Sequence, residues 1–127
     1  MSGYCIQLEG CVKPYVRMTR RGMWVKPQAR EYLASREALQ WQLRRELIDR
    51  PMLPGQTPLS VQLVITHGHG FHNRDLDNEV KAVLDAMNSI VYPDDRWIDD
   101  LQAVRMQGDE CGVRCFVCVK GEGYERE

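Results

Sequence analysis

The chain changes its hydrophobic period near its centre, and this change limits the folds open to it. Residues 59–66 (LSVQLVIT) alternate apolar and polar side chains, which is typical of a β-strand covered on one face. Further along, Val80, Val83, Leu84 and Met87 recur at the spacing of one helical face and predict a helix over residues 78–90. A strand followed by a helix therefore forms the centre of the expected fold.

The flanking segments continue this mixture. Helical spacing from Tyr32 to Leu47 predicts a first helix over residues 27–48, with Pro27 suited to its first turn. Strands are predicted over residues 4–8, 98–106 and 113–119, and the glycines between the last two favour an antiparallel hairpin. The expected fold class is α+β, with a small mixed β-sheet packed with two helices in one domain over residues 1–127.

Length and composition narrow the class of protein. A chain of 127 residues can bury one hydrophobic core without metals or disulfides. No apolar run approaches about 18 residues, so no membrane span is expected, and no secretory signal is visible at the N-terminus. Five cysteines, an odd number, predict reduced thiols and a cytoplasmic location.

Charge is unevenly distributed, although the net charge is only −1. Residues 13–30 contain six basic side chains and no acidic one, whereas residues 75–110 contain ten acidic and three basic ones. The first region is expected to attract phosphate and the second to attract cations, as a nuclease requires. Runs of charge are also typical of solvated faces, so the asymmetry alone does not decide the function.

Two aspartates at the predicted start of the second helix are the first candidate site residues. Asp75 and Asp77 flank Leu76, and in an extended segment both carboxylates would face the same way while Leu76 points inward. Asp77 is also placed to cap the helix. Lys81 follows Asp77 by four residues, on the same helical flank.

A further acidic pair follows that helix. Asp94 and Asp95 come after Pro93, where a third carboxylate could return to the same site; Asp95 is preferred as the ligand and Asp94 as a turn former or supporting residue. Carboxylate oxygens are the ligands that Mg²⁺ prefers, and such a metal can activate water for phosphodiester hydrolysis. The competing interpretations are turn chemistry for the aspartates and an ion pair with Asp77 or Asp85 for Lys81.

The string RDLDNEVKAVLDAMNSIVYPDD resembles the signature of the RusA family of Holliday-junction endonucleases. It has an aspartate pair within DLDN, a lysine after it, an aspartate–alanine step in the helix and a DD pair after a short loop. Residues 10–32 are similar to the basic segment that precedes the first helix in this family. The resemblance extends roughly from residue 6 to residue 119.

The resemblance implies metal ligation by Asp75, Asp77 and Asp95, and a catalytic role for Lys81. It also implies Mg²⁺ or Mn²⁺ as cofactor, a homodimer, and paired incisions across a four-way DNA junction in recombination and repair. Genes of this family often belong to phages. The residues expected to contact DNA phosphates are Lys13, Arg17, Arg20, Arg21, Lys26 and Arg74.

Several alternatives remain open at this stage. Tyr15 or Trp24 could stack on bases exposed at a distorted junction, although Trp24 could instead belong to the core. His67, His69 and His72 could form a metal site, but a solvated loop is preferred because no fourth ligand stands at motif spacing. The spacing of Cys111, Cys115 and Cys118 matches some iron–sulfur clusters.

Three rival functions follow from these alternatives. The first is a branched-DNA-binding module without cleavage, and the second is a metal-dependent nuclease acting on other nucleic-acid structures. The third is a structural protein with an acidic turn.

Overall fold

The computed structural model describes residues 3–16, 27–68 and 75–122. Its elements in chain order are β1 (Gly3–Glu9), α1 (Pro27–Glu46), β2 (Leu59–His67), α2 (Leu76–Met87), a short 3₁₀ helix (Asp95–Trp97), β3 (Ile98–Gln107) and β4 (Gly112–Val119). The α+β class with two helices and a small mixed sheet is confirmed. The helices end earlier than the apolar spacing predicts, and α2 begins two residues earlier.

The four strands form one sheet in the order β1-β4-β2-β3. β4 is antiparallel to both β1 and β2, whereas β3 is parallel to β2. β2, α2 and β3 therefore form a βαβ crossover, with parallel strands joined through a helix. The predicted hairpin between the last two strands is wrong, because β2 lies between them.

The link between β3 and β4 passes the end of β2. Residues 108–111 cover two strand spacings, roughly 10 Å. Gly108 donates its backbone N–H to the carbonyl of His67 over 2.8 Å, and a Cβ at Gly108 would lie 2.9 Å from Thr66 Cγ2. Gly108, one of the glycines that favour a hairpin in the sequence, instead allows the link to pass close to the end of β2.

The core lies between the helices and one face of the sheet. In β1, Tyr4, Ile6 and Leu8 are buried while the alternate residues are exposed. The buried side of α1 contributes Leu39 and Leu43 to the same cluster. In the described part of the chain, no helix covers the opposite face of the sheet. The alternation of buried and less buried residues in β1 and β2 therefore reflects which face of the sheet the helices cover.

Two cysteines form a disulfide, so the expectation that all five thiols are reduced is wrong. Cys11 follows β1 and is bonded to Cys111, which precedes β4. These strands are paired, with Glu9 opposite Gly112, and the pairing brings the two flanking cysteines together. Cys5 is exposed, Cys115 and Cys118 are buried, and none of these three cysteines is in a disulfide. The cysteines therefore do not form the cluster that their spacing allowed.

In the described ranges, neither helix combines the length and the apolar character needed to cross a membrane.

Candidate active site at the ends of α2

Asp75 and Asp77 lie at the N-terminal end of α2. Asp75 occupies the N-cap position in an extended conformation, although its side chain makes no capping hydrogen bond. Asp77 lies within the first turn, where its Oδ1 accepts from the backbone N–H of Asn78 over 3.0 Å. The prediction that Asp77 is the cap is therefore wrong by two residues. Both aspartates are exposed.

Lys81 lies one turn beyond Asp77, and the two line the same groove of about 600 Å³. The Nζ atom of Lys81 lies 3.9 Å from the centre of the Tyr15 ring, a cation–π contact. In the described ranges Lys81 makes no ion pair with Asp77 or Asp85. The Asp77 carboxylate and the Lys81 ammonium group therefore line the same groove without forming an ion pair with each other.

Tyr15 connects this groove to α1. Its ring packs edge-on against Tyr32, with the ring centres 5.3 Å apart, and its backbone N–H donates to the carbonyl of Asn78. The Tyr32 hydroxyl donates to Asp85 Oδ2 over 2.7 Å, and burial raises the pKa of this hydroxyl above its usual range. Tyr15 thus packs against Tyr32 and Lys81 within the protein. The stacking hypothesis instead placed its ring against DNA bases.

Asp94 and Asp95 lie beyond the other end of α2. Asp94 caps the 3₁₀ helix, with its Oδ1 accepting from the Arg96 backbone N–H over 3.0 Å, and this hydrogen bond lowers the pKa of Asp94. The backbone N–H of Asp95 donates to Asn88 Oδ1 over 2.9 Å. Burial, followed by the neighbouring Asp94, raises the pKa of Asp95. Asp94 is therefore the turn former of the pair.

The length of α2 separates these two acidic groups. Asp77 and Asn88 are eleven residues apart, which is about 16 Å of helix at 1.5 Å per residue. Asp95 is held beside Asn88, and the other acidic side chain that raises its pKa is Asp85, in the last turn of α2. Among the described residues, no three His, Cys, Asp or Glu side chains lie close enough to hold a metal ion. One chain therefore does not bring Asp95 to Asp75 and Asp77.

Most of the basic residues expected to contact DNA lie outside the described residues. Lys13 is described: it is half-buried, and its backbone N–H donates to Ser35 Oγ over 3.3 Å. The residues outside the described ranges are Arg17, Arg20, Arg21, Lys26 and Arg74, together with Trp24, His69 and His72.

A buried charge network beneath the start of α2 was missed by the sequence interpretation. Glu79 is fully buried, and its Oε2 lies 2.5 Å from Nε2 of the buried His67 at the end of β2. Its Oε1 lies 3.2 Å from Nη1 of Arg105 on β3. The buried carboxylate therefore has a histidine and an arginine as close partners. A solvated loop is therefore the wrong interpretation for His67.

This network joins β2, β3 and the first turn of α2, next to Asp75 and Asp77. The available signal was Glu79 itself, a charged residue directly beside the apolar face of a predicted helix, where a buried charge needs partners. His67 and Arg105 are far from it in sequence, so the partners could not be named.

Comparison with family models finds a match that covers most of the chain. The family model described as endodeoxyribonuclease RusA matches residues 7–118, which include both helices, β2 and β3 in full, β4 except its last residue, and the last three residues of β1. The comparison with curated proteins found no match.

Proposed function

Because the chain belongs to the RusA endodeoxyribonuclease family, we propose that it resolves four-way DNA junctions by paired hydrolysis of phosphodiester bonds. The observation that carries this proposal is the groove shared by Asp77 and Lys81 at the start of α2. An exposed carboxylate pair and a cation that forms no ion pair within the described ranges lie within two helical turns. They suit a phosphodiester, which needs negative charge neutralised and a nucleophile oriented.

Lys81 and the two aspartates at the start of α2 have distinct proposed roles. The ammonium group of Lys81 lies over the Tyr15 ring beside the groove. There it binds a phosphate oxygen and stabilises the charge that develops during cleavage. Asp75 and Asp77 offer exposed carboxylate oxygens at a helix end. Mg²⁺ is usually held by one or two carboxylates plus substrate phosphates, and Mn²⁺ accepts the same ligands.

Metal dependence is part of the proposal. A bound Mg²⁺ or Mn²⁺ supplies an activated water and neutralises charge on the phosphate. The aspartates proposed to hold it are Asp75, Asp77 and Asp95, but the described residues of one chain do not assemble all three. No step of the reaction is therefore assigned to the metal.

DNA binding is proposed for the basic segment that follows β1, and for Arg74 directly before Asp75. Contacts from this segment to the phosphate backbone would fix the position of the junction without reading its sequence. A homodimer would match the two-fold symmetry of a junction that is cut on two strands. Such an activity belongs to DNA recombination and repair.

The test uses a labelled four-way junction and a linear duplex of the same sequence, each incubated with Mg²⁺, Mn²⁺ or EDTA. We expect symmetric paired nicks on the junction alone, and none with EDTA. Asp77→Asn should abolish cutting while leaving folding and junction binding intact, because Asp77 is exposed and does not cap the helix. Asp49→Asn, at an exposed aspartate just after α1, is the matched control and should cut normally.

The alternative is a branched-DNA-binding module without cleavage. The separation of the acidic residues within one chain is the observation that favours it. Tight junction binding without any metal-dependent nicking would establish this alternative. Equal cutting of junction and duplex would instead indicate a nuclease for other DNA structures.

A further inference from the structure

We propose that Tyr15 and Tyr32 are positioning residues that keep the ammonium group of Lys81 free to bind a phosphate of the DNA. Tyr15 holds this group over its ring, and Tyr32 binds the carboxylate that would otherwise neutralise it. The inference rests on the proposed function, because Lys81 is the cation proposed there to stabilise the charge that develops during cleavage. Both tyrosines act through Lys81 and not by touching the DNA.

The acidic residues around Lys81 would favour an ion pair along α2. Asp77 stands four residues before Lys81 and Asp85 four residues after it, and side chains four residues apart are neighbours on a helix. An ion pair with either carboxylate would cancel the positive charge that attracts a phosphate. In the described ranges, however, Lys81 forms no ion pair with Asp77 or Asp85. Other contacts must therefore direct these side chains elsewhere.

Tyr32 binds the carboxylate of Asp85. The Tyr32 hydroxyl donates to Asp85 Oδ2 over 2.7 Å, across from α1 to α2. Tyr32 is 1% exposed, and burial, followed by the hydrogen bond to Asp85, raises the pKa of its hydroxyl above the usual range. The hydroxyl therefore keeps its proton and remains a donor. A neutral group on α1 thus satisfies the carboxylate that stands one turn from Lys81.

Tyr15 receives the ammonium group that Asp85 does not bind. Lys81 Nζ lies 3.9 Å from the centre of the Tyr15 ring. An aromatic face attracts a cation through its quadrupole and leaves the positive charge in place, whereas a carboxylate cancels that charge. The other acidic neighbour, Asp77, accepts at Oδ1 from the backbone N–H of Asn78. Lys81 is therefore held at the groove with its charge still available to a phosphate.

The Tyr15 ring is itself held from two sides. Its backbone N–H donates over 3.0 Å to the carbonyl of Asn78, which stands three residues before Lys81. Its ring meets that of Tyr32 edge-on, with the ring centres 5.3 Å apart and the ring planes at 77°. The hydrogen bond fixes the position of Tyr15 along α2, and the contact with Tyr32 fixes the direction of its ring. One aromatic pair thus positions both the cation and the carboxylate that competes for it.

The first test releases Asp85 by removing one hydroxyl group. Tyr32→Phe keeps the ring beside Tyr15 but loses the hydrogen bond to Asp85. With Mg²⁺, we expect this variant to nick a labelled four-way junction about tenfold more slowly than the wild type, because Asp85 then pairs with Lys81. Adding Asp85→Asn should restore the rate to within about twofold of the wild type, because asparagine carries no charge.

The matched control is Tyr4→Phe, which removes another buried tyrosine hydroxyl, one that donates to the carbonyl of Pro51. It should cut at the wild-type rate, and circular dichroism should show that every variant is folded. If Tyr32→Phe cuts as fast as the wild type, or stays slow with Asp85→Asn, the inference is overturned while the proposed function stands. A wild-type protein that neither binds nor cuts the junction overturns both.

Junction binding in EDTA gives a readout that a loss of packing alone does not change. Each contact between a lysine and a phosphate adds about 0.9 to the slope of log affinity against log salt concentration. We expect Lys81→Ala and Tyr32→Phe each to lower that slope by about this amount, and Tyr32→Phe with Asp85→Asn to restore it. An unchanged slope for either Lys81→Ala or Tyr32→Phe would overturn the inference.

The role of Tyr15 is tested by NMR in the free protein, which needs neither DNA nor metal. The chain has four lysines, so labelling lysine with ¹³C gives few Cε signals, and the signal of Lys81 is the one absent from Lys81→Arg. The Tyr15 ring current should shift the attached protons upfield in the wild type and in Tyr15→Phe, but not in Tyr15→Leu.

The same Tyr15 variants are compared in the cutting assay. Tyr15→Leu should cut about fivefold more slowly than the wild type, and Tyr15→Phe should restore the rate, because phenylalanine retains the aromatic face. An unshifted Lys81 signal in the wild type, or equal cutting by Tyr15→Leu and the wild type, would refute the role of Tyr15.

Discussion

Replacing Glu79 by alanine removes the centre of the buried network that joins β2, α2 and β3. The substitution leaves His67, only 2% exposed, without its close contact to the Glu79 carboxylate. Arg105 is 25% exposed and lies on the edge strand, so it can turn towards water. Breaking a buried charge pair costs about 3–5 kcal/mol. Because Arg105 can recover part of its hydration, we expect Glu79→Ala to lower the free energy of unfolding by about 3 kcal/mol.

Urea unfolding followed by circular dichroism measures this loss, at one protein concentration because dimerisation would shift the midpoint. With a slope of about 2 kcal/mol/M, the midpoint should fall by roughly 1.5 M. The matched control is Glu37→Ala, at an exposed glutamate of α1, which should change the free energy by no more than about 0.5 kcal/mol. Glu79→Ala should also cost less in an Arg105→Ala background, because the two side chains are in contact. A midpoint shift for Glu79→Ala no larger than for Glu37→Ala would show that the network does not stabilise the fold.

Two further predictions concern the cysteines. Burial raises the pKa of Cys115 to about 12 from its ordinary value of 9.0, so a thiol reagent should modify Cys5 quickly and Cys115 only after unfolding. Because the folded pKa is the higher one, the contribution of this thiol to stability should be constant below about pH 9 and fall as the pH rises from 9 towards 12. Cys115→Ala should remove that part of the slope, and equal reactivity of Cys5 and Cys115 in the native protein would contradict the burial. The bond between Cys11 and Cys111 closes a separation of 100 residues, so its reduction should lower the free energy of unfolding by about 4 kcal/mol; five titratable thiols in the unreduced, denatured protein would exclude the bond.

The elements of the fold were predictable because each depends on a local signal. Alternation over residues 59–66 and helical spacing around Val83 report which face of each segment is buried. The partner of each strand was not predictable in the same way. The glycines before β4 indicate a tight link between β3 and β4. They do not show that β2 lies between these two strands in the sheet.

The candidate site shows the same division between local and distant information. The pairing of Asp77 with Lys81 in one groove followed from helical spacing alone. The position of Asp95 was not predictable from helical spacing. Asp95 follows the end of α2 in the sequence, and the length of the helix keeps it far from the start of α2. The partners of Glu79 and the bond between Cys11 and Cys111 depend on contacts across the sheet, which leave no periodic pattern in the chain.

The interior position of β4 has a consequence for how the protein is made. β1 is at the start of the chain, yet every one of its strand partners lies in β4, more than a hundred positions later. At about 5–20 residues per second, β1 leaves the ribosome roughly 5–20 s before its partner exists. Until β4 is synthesised, the apolar side chains of β1, and later those of β2, lack the strand that lies between them in the folded sheet. Folding of the sheet must therefore wait for the last strand, and the nascent chain is expected to depend on chaperones until that strand is inserted.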